Sequence, residues 1–168
     1  MAEMQVHGRV FRYGKDVNTD LIIPARYLNI IDVKEQATHT MEDLDPEFPR
    51  KVRPGDIVVA EENYGCGSSR EEAPLMLKTC GVSAVVAKSF ARIFFRNAIN
   101  IGLPVFESAA AVDAAQAGDE LEIDTASGLI RNLTKGQTYQ AAPLPEFIQG
   151  IIRAGGLVEY VRARVGAK

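Results

Sequence analysis

The sequence has few of the residues from which metal centres and histidine-dependent active sites are built. Its 168 residues include two cysteines, two histidines and no tryptophan. Cys66 and Cys80 are distant in the chain, whereas zinc and iron–sulfur sites usually need about four ligands. We therefore expect no metal ligands in this chain and two reduced thiols. His7 and His39 fall in separate predicted elements, which argues for structural roles and against a Ser-His-Asp triad.

The sequence also lacks an excess of positive charge and any long apolar run. It has 19 basic and 22 acidic residues, a net charge of −3, and no basic stripe. Binding to nucleic acid or to an anionic membrane is therefore not expected. No apolar run approaches the roughly 18 residues of a membrane span. Residues 1–7 lack the basic and apolar regions of a signal peptide, so we expect a cytoplasmic protein.

The rest of the composition, 46% hydrophobic and 24% charged, is that of an ordinary globular protein. Without internal repeats or a flexible linker, residues 1–168 are predicted to form one domain. Buried strands are predicted at 57–60, 84–87 and 104–106, with a helix between each pair. This order is typical of parallel strands with helices packed on them.

The two ends of the chain add antiparallel strands and further helices. A strand is predicted at 6–13, and a hairpin at 121–124 and 129–132. Further helices are predicted at 32–41, 90–100, 109–117, 147–154 and 158–165. Asp32 and Ser89 are the expected caps of the first two of these helices. The sequence therefore predicts an α/β fold with a mixed sheet.

The most informative segment is the loop at residues 63–70, with the sequence Asn-Tyr-Gly-Cys-Gly-Ser-Ser-Arg. It follows a buried strand and precedes a helix, where open α/β sheets usually bind ligands. Its two glycines permit a close approach of the backbone to a ligand. Free amides at the helix start, two hydroxyls and a guanidinium predict an anion site, and the planar arginine favours a carboxylate or phosphate. The dinucleotide-binding, P-loop and GxSxG patterns do not fit.

A plain helix cap is the alternative interpretation of this loop. Ser69 and Glu72 have the spacing of a capping box, which would leave Arg70 in a surface ion pair. Pro74, however, lacks the N–H that such a helix would use. We therefore expect the helix to start near residue 71 or 72, with Ser68 to Arg70 in the loop.

The segment Asn18-Thr19-Asp20 also permits two interpretations. It is either a turn stabilised by its own side chains or a support in which Asp20 orients an active-site arginine.

Three long blocks of the sequence resemble the swivelling C-terminal domain of aconitases, and in particular the small subunits of 3-isopropylmalate dehydratases. They are residues 18–28, 65–71 and 88–104, in the order of the family, and the similarity extends from about residue 5 to 160. The resemblance implies a layered β/β/α swivelling domain.

The resemblance also implies a hydro-lyase of leucine biosynthesis that is active only with a large subunit. Such enzymes convert 2-isopropylmalate into 3-isopropylmalate by dehydration and rehydration. The cofactor implied, a 4Fe-4S cluster, belongs to the large subunit and acts as a Lewis acid on the hydroxyl group.

Individual residues take roles by their match to the family's motifs. Ser68 would be the general base, Ser69 and Arg70 would bind the substrate, and Thr19 and Asp20 would support the site. Leu28, Asn29 and Ile30 would face the variable group of the substrate.

Two departures from the family pattern leave the substrate open. Glu72 stands where the family usually has histidine, and the aconitase arginine that binds a further carboxylate has no counterpart at 29–31. The alternatives are a sister hydro-lyase that acts on homocitrate, citrate or a methyl-substituted malate, and a binding module that senses a carboxylate without catalysis.

Overall fold

A mixed sheet forms the centre of the structure, a computed structural model that describes residues 4–166. Seven strands in this part of the chain lie in the order β4-β3-β2-β1-β5-β6-β7. β1 to β4 run parallel to one another, and β5 to β7 continue the sheet beyond β1 as antiparallel strands. The strands are β1 (Gln5–Arg12), β2 (Ile57–Ala60), β3 (Ala84–Ala87), β4 (Val105–Glu107), β5 (Glu120–Asp124), β6 (Leu129–Asn132) and β7 (Gln137–Gln140).

Eight α-helices connect or follow these strands within residues 4–166. They are α1 (Thr19–Ile22), α2 (Val33–Ala37), α3 (Phe48–Lys51), α4 (Glu72–Thr79), α5 (Arg92–Asn100), α6 (Ala109–Ala114), α7 (Glu146–Ala154) and α8 (Leu157–Val165), with a short 3-10 turn at Ala25–Tyr27. None of these helices is both long and apolar enough to cross a membrane.

The parallel half of the sheet is the most deeply buried part of the fold. Every residue of β2 and β3 is buried, as expected for short strands of valine, isoleucine and alanine covered on both faces. α4 connects β2 to β3, and α5 connects β3 to β4. The predicted mixed α/β architecture is confirmed, as is the hairpin, in which Asp124 pairs with Leu129.

Several boundaries differ from the sequence prediction. α2 begins after Asp32, whose side chain accepts from two backbone amides, but it ends at residue 37 rather than 41. α5 begins at Arg92 after Ala91, without a side-chain cap. The predicted cap at Ser89 is therefore wrong, because its hydroxyl accepts the N–H of Asn63 at 2.8 Å instead. Ser89 thus stabilises the loop and not the helix.

An ion-pair network joins the carboxyl ends of the parallel strands. Glu61, just after β2, pairs with Arg12 at the end of β1 and with Lys88 after β3. Lys88 also pairs with Asp113 of α6 at 2.7 Å. The hydrogen bonds from Arg12 and Lys88 lower the pKa of Glu61 from 4.5 to about 2. The network therefore holds together the strand ends from which the loop of residues 63–70 emerges.

An aromatic cluster anchors the start of that loop in the core. Tyr64 is completely buried, and its ring meets Phe94 edge-on with ring centroids 5.2 Å apart. The backbone of Gly65 lies against the same Phe94 ring, so a Cβ atom at residue 65 would come within 2.2 Å of it. Gly65 also has a φ of +81°, which favours glycine. Both features require glycine at this position.

We predict that Gly65→Ala destabilises the protein by about 2–4 kcal/mol, because the new methyl group strains the backbone and displaces Phe94. Gly14→Ala is the matched control, since a Cβ there meets nothing within 4 Å. Chemical denaturation of both variants measures the difference. Equal stabilities of the two variants would show that the loop is not packed as described.

We predict that Glu61→Gln destabilises the protein at neutral pH and that this effect disappears in acid. Because the pKa of Glu61 is lowered from 4.5 to about 2 on folding, its contribution is fully present above pH 4.5 and is lost as the pH falls toward 2. Thermal denaturation between pH 7 and pH 2 tests this. Glu62→Gln is the control, as its exposed side chain reaches Lys88 only at 4.0 Å. A Glu61→Gln effect that is independent of pH would contradict the prediction.

Candidate active-site loop

The loop at residues 63–70 continues the β2 strand beyond the regular sheet. On the β1 side, Gly65 donates its N–H to the carbonyl of Val17, and Thr19 donates to the carbonyl of Cys66, both at 2.8 Å. These bonds form a parallel bridge between residues 18 and 66. The segment that follows β1 is thereby fixed beside the first half of the loop.

The same part of the loop is paired on its β3 side. Tyr64 donates its N–H to the carbonyl of Ser89 at 3.1 Å and accepts the N–H of Ala91 at 2.9 Å. The backbone around Tyr64 and Gly65 is therefore hydrogen-bonded to both neighbouring segments, as in a central strand. This pairing fixes the backbone position from which residues 66–70 continue.

Thr19 positions the backbone of Ser68. Its hydroxyl donates to the carbonyl oxygen of Ser68 at 2.9 Å, and its side chain is buried. The turn before Ser68 is made by Gly67, whose φ is +95°. The backbone of Ser68 is thus held by a buried group, while the side chains of Ser68 and Ser69 are exposed at the surface.

The helix after the loop starts late, as predicted from Pro74. α4 begins at Glu72, its N-cap residue is Glu71, and no side chain caps it. The interpretation of Ser69 as a plain helix cap is therefore wrong. Within residues 4–166, the amides of residues 67–72 donate to no backbone carbonyl, which leaves a row of donors around the two serines. Glu72 stands in the first turn of α4, where a carboxylate interacts favourably with the helix dipole.

Arg70 is oriented by Asp20, although the two residues are 50 positions apart in the chain. Its Nη1 atom donates to the Asp20 carboxylate at 2.6 Å and to the carbonyl of Ile23 at 3.1 Å. The arginine side chain is only 12% exposed, whereas that of Asp20 is 61% exposed. Both interpretations of residues 18–20 hold in the structure. Asn18 accepts the N–H of Leu21 at 2.9 Å and so caps α1, and Asp20 holds an arginine of the loop.

Residues 28–30 lie a few positions after residues 17–23, the segment that contacts the loop. Within residues 4–166, no backbone hydrogen bond joins Leu28, Asn29 or Ile30 to residues 63–70. Leu28 and Ile30 are half-buried, and Leu28 packs against the core. Asn29 is exposed, and Ile31 is 95% exposed. The exposed apolar surface at Ile31 was not predicted, although two successive isoleucines before the Asp32 cap were a signal for it.

Residues 39–43, which follow α2, contact this segment through ion pairs and a stacked ring. Arg26 pairs with Asp43 at 2.6 Å and with Glu42 at 3.2 Å, so its guanidinium is already engaged. The ring of Tyr27 stacks on His39 with centroids 3.7 Å apart. His39 therefore has a structural contact here. His7 pairs with Glu120, at the junction of β1 and β5.

The two thiols are free, and neither is activated. Burial raises the pKa of the Cys66 thiol, and the Asp16 carboxylate raises it further. Burial also raises the pKa of Cys80, which donates to the carbonyl of Ala37. A protonated thiol at Cys66 is a weak nucleophile beside Ser68. In the described part of the chain, no three His, Cys, Asp or Glu side chains are grouped so as to hold a metal ion, so its side chains do not fit an iron–sulfur cluster.

Comparison with known proteins places this loop in a family. The model of the aconitase C-terminal domain matches residues 11–109. The 3-isopropylmalate dehydratase small subunit of Clostridium beijerinckii is 60% identical over 96% of this chain and 100% of its own length. The 2,3-dimethylmalate dehydratase small subunit of Eubacterium barkeri is 58% identical over 95% and 98% of the two chains.

A solved structure agrees with the sequence relatives. The crystal structure of 3-isopropylmalate dehydratase from Methanocaldococcus jannaschii has a TM-score of 0.91 and 46% identity, covering 96% of this chain and 95% of that one. The chain therefore belongs to the aconitase C-terminal domain family, among the small subunits of its dehydratases.

Proposed function

We propose that this chain is the small subunit of a hydro-lyase that isomerises 2-isopropylmalate to 3-isopropylmalate, the step of leucine biosynthesis that the resemblance implies. The observation that carries the proposal is the convergence at one loop of two exposed hydroxyls, a row of free amides and an arginine held by Asp20. This is a site for a small carboxylate beside a potential base. The relatives support the same assignment.

Ser68 is the proposed general base. A serine hydroxyl takes a proton from carbon only as an alkoxide, which needs nearby positive charge and hydrogen-bond donors. Arg70 supplies the charge, and the free amides of residues 67–72 supply the donors. In dehydration, Ser68 Oγ would accept the proton from the carbon next to the one that loses its hydroxyl group. In rehydration it would return a proton to carbon.

Arg70 is the proposed carboxylate ligand. Its Nη1 atom is occupied by Asp20 and by the carbonyl of Ile23. This leaves Nη2 and Nε for a bidentate contact with one carboxylate of the substrate. Thr19 and Asp20 act through the loop: Thr19 holds the backbone of Ser68, and Asp20 fixes the direction of Arg70. Ser69 adds a hydroxyl donor on the same surface.

The proposal includes a large subunit that completes the site. The cluster would belong to that subunit, because the described side chains of this chain do not group as metal ligands. A cytoplasmic location fits the proposal, since Cys66 and Cys80 are both free thiols.

An alkyl-substituted malate fits the residues after α1 better than a tricarboxylate does. Arg26 is engaged by Asp43 and Glu42, and residues 28–31 carry no cation of their own. A carboxylate buried without a partner costs several kcal/mol, whereas an alkyl group gains about 0.8 kcal/mol for each buried CH₂. A 2,3-dimethylmalate substrate is the second candidate, favoured by the relative from Eubacterium barkeri.

Co-expression with a large subunit and anaerobic reconstitution test the proposal. The complex should interconvert 2- and 3-isopropylmalate faster than it acts on 2,3-dimethylmalate, homocitrate or citrate, and the small subunit alone should be inactive. Binding of these acids without turnover in a cluster-loaded complex would support the carboxylate-binding module instead.

We predict that Ser68→Ala lowers kcat of the complex by about 10²- to 10⁴-fold, the usual contribution of a general base. The thermal stability should stay unchanged, because the Ser68 side chain is exposed. Ser127→Ala, at an exposed turn of the hairpin, is the control and should retain full activity. A wild-type rate for Ser68→Ala would remove Ser68 from the chemistry.

We predict that Asn29→Arg raises kcat/KM for homocitrate relative to 2-isopropylmalate by at least about 10-fold, since one charged hydrogen bond contributes about 1.5–3 kcal/mol. Steady-state rates of the two complexes measure this ratio. A wild-type complex that already prefers homocitrate or citrate to 2-isopropylmalate would contradict the role proposed for this segment.

A further inference from the structure

A cavity opens beside the serine loop, between the loop and α5. It has a volume of about 310 Å³, and its lining includes Ser69, Arg96, Asn97 and Asn100. This volume is within the range of small-molecule sites. The Arg96 guanidinium is a hydrogen-bond donor, and the two asparagine amides and the serine hydroxyl can both donate and accept. The cavity therefore continues the proposed carboxylate site from Ser69 onto the surface of α5.

Arg96 is an unneutralised charge in this cavity. Its side chain is exposed, and no carboxylate pairs with it in the part of the chain that the structure describes. The first turn of α5 contains no acidic residue and begins with the positive charge of Arg92, one turn before Arg96. Cations near a helix N-terminus oppose the helix dipole. This arrangement does not favour the helix, but it does favour an anion.

Arg92 does not line this cavity, and four further cations around the loop are already committed to contacts within the protein. Arg12 and Lys88 bind Glu61, and Arg26 binds Asp43. The ammonium group of Lys78 donates to two backbone carbonyls. Arg70 has donors left for one carboxylate, but a malate-type acid carries two. The second carboxylate needs a separate cation to offset its loss of hydration.

We infer that Arg96 binds the second carboxylate of the substrate, with the side-chain amides of Asn97 and Asn100 as further donors. The inference rests on the proposed function and extends it to a two-arginine clamp. Arg70 takes one carboxylate, and Arg96 takes the other across the cavity that Ser69 borders. The reacting carbons then lie between the two arginines, near Ser69 and its chain neighbour Ser68, at the surface that the large subunit would cover. Arg96 is then a determinant of specificity for dicarboxylates over monocarboxylates.

Arg96→Gln in the reconstituted complex tests the clamp. The expected result is a rise in KM for 2-isopropylmalate of about 10- to 100-fold, the usual effect of losing a charged hydrogen-bond pair, with a much smaller change in kcat. A second readout does not depend on turnover. 2-Isopropylsuccinate lacks the reacting hydroxyl group, and its dissociation constant should rise by the same factor. The inhibitor has two monoamides, in each of which one carboxylate is converted into an amide. The monoamide that lacks the carboxylate bound by Arg96 should bind the Arg96→Gln variant as tightly as 2-isopropylsuccinate does.

Arg153→Gln is the matched control, because it removes the same charge from an exposed position on α7. It should leave KM and the inhibitor affinity unchanged. Unchanged values for Arg96→Gln, in an active wild-type complex, overturn the clamp and leave the proposed function intact. The clamp is also overturned if Arg96→Gln weakens only the association of the two subunits. A wild-type complex that neither converts nor binds malate-type acids overturns the proposed function, and the clamp with it.

Discussion

The site depends on the backbone pairing that extends β2 past the end of the regular sheet. Tyr64 and Gly65 are hydrogen-bonded to Ser89 and Ala91 on one side and to Val17 on the other. A loop that leaves a strand is ordinarily among the more mobile parts of a domain. This one is held as a central strand until Cys66, so the exposed serines that follow start from a fixed position. The positions of Ser68 and Ser69 are fixed by this backbone pairing and not by packing of their side chains, which are exposed.

The pairing also brings together residues that are distant in the chain. Once residues 17–19 are fixed beside the loop, the hydroxyl of Thr19 reaches the carbonyl of Ser68, and the carboxylate of Asp20 reaches Arg70. The Arg70 side chain therefore loses its conformational entropy when the subunit folds, before any substrate binds. Such pre-organisation is what a carboxylate site needs for both affinity and orientation. The chain thus presents a charged, hydrogen-bonding surface whose remaining chemistry belongs to a partner in our proposal.

Much of this arrangement could be predicted from the sequence, and the failures have physical reasons. Pro74 located the start of α4, because its missing N–H excludes an earlier one. The strand β7 was missed because Gln137–Gln140 carries no apolar alternation and is mostly exposed. Ser89 was assigned to the wrong partner, because a serine before a helix satisfies an amide from another segment as readily as one in its own helix. Arg96 gave no sequence signal, since an arginine on an amphipathic helix looks like any solvated residue until the fold places it beside Ser69.

The structure of the assembled complex with bound 2-isopropylsuccinate would test the central claim, that this loop holds the substrate for proton transfer by Ser68. Our account predicts Ser68 Oγ about 3–3.5 Å from the carbon that exchanges its proton, the separation of a reactive approach. It also predicts Arg70 in a bidentate contact with one carboxylate while still bonded to Asp20. An inhibitor bound with its carboxylates away from Arg70, or with its reacting carbons out of reach of Ser68, would contradict the account.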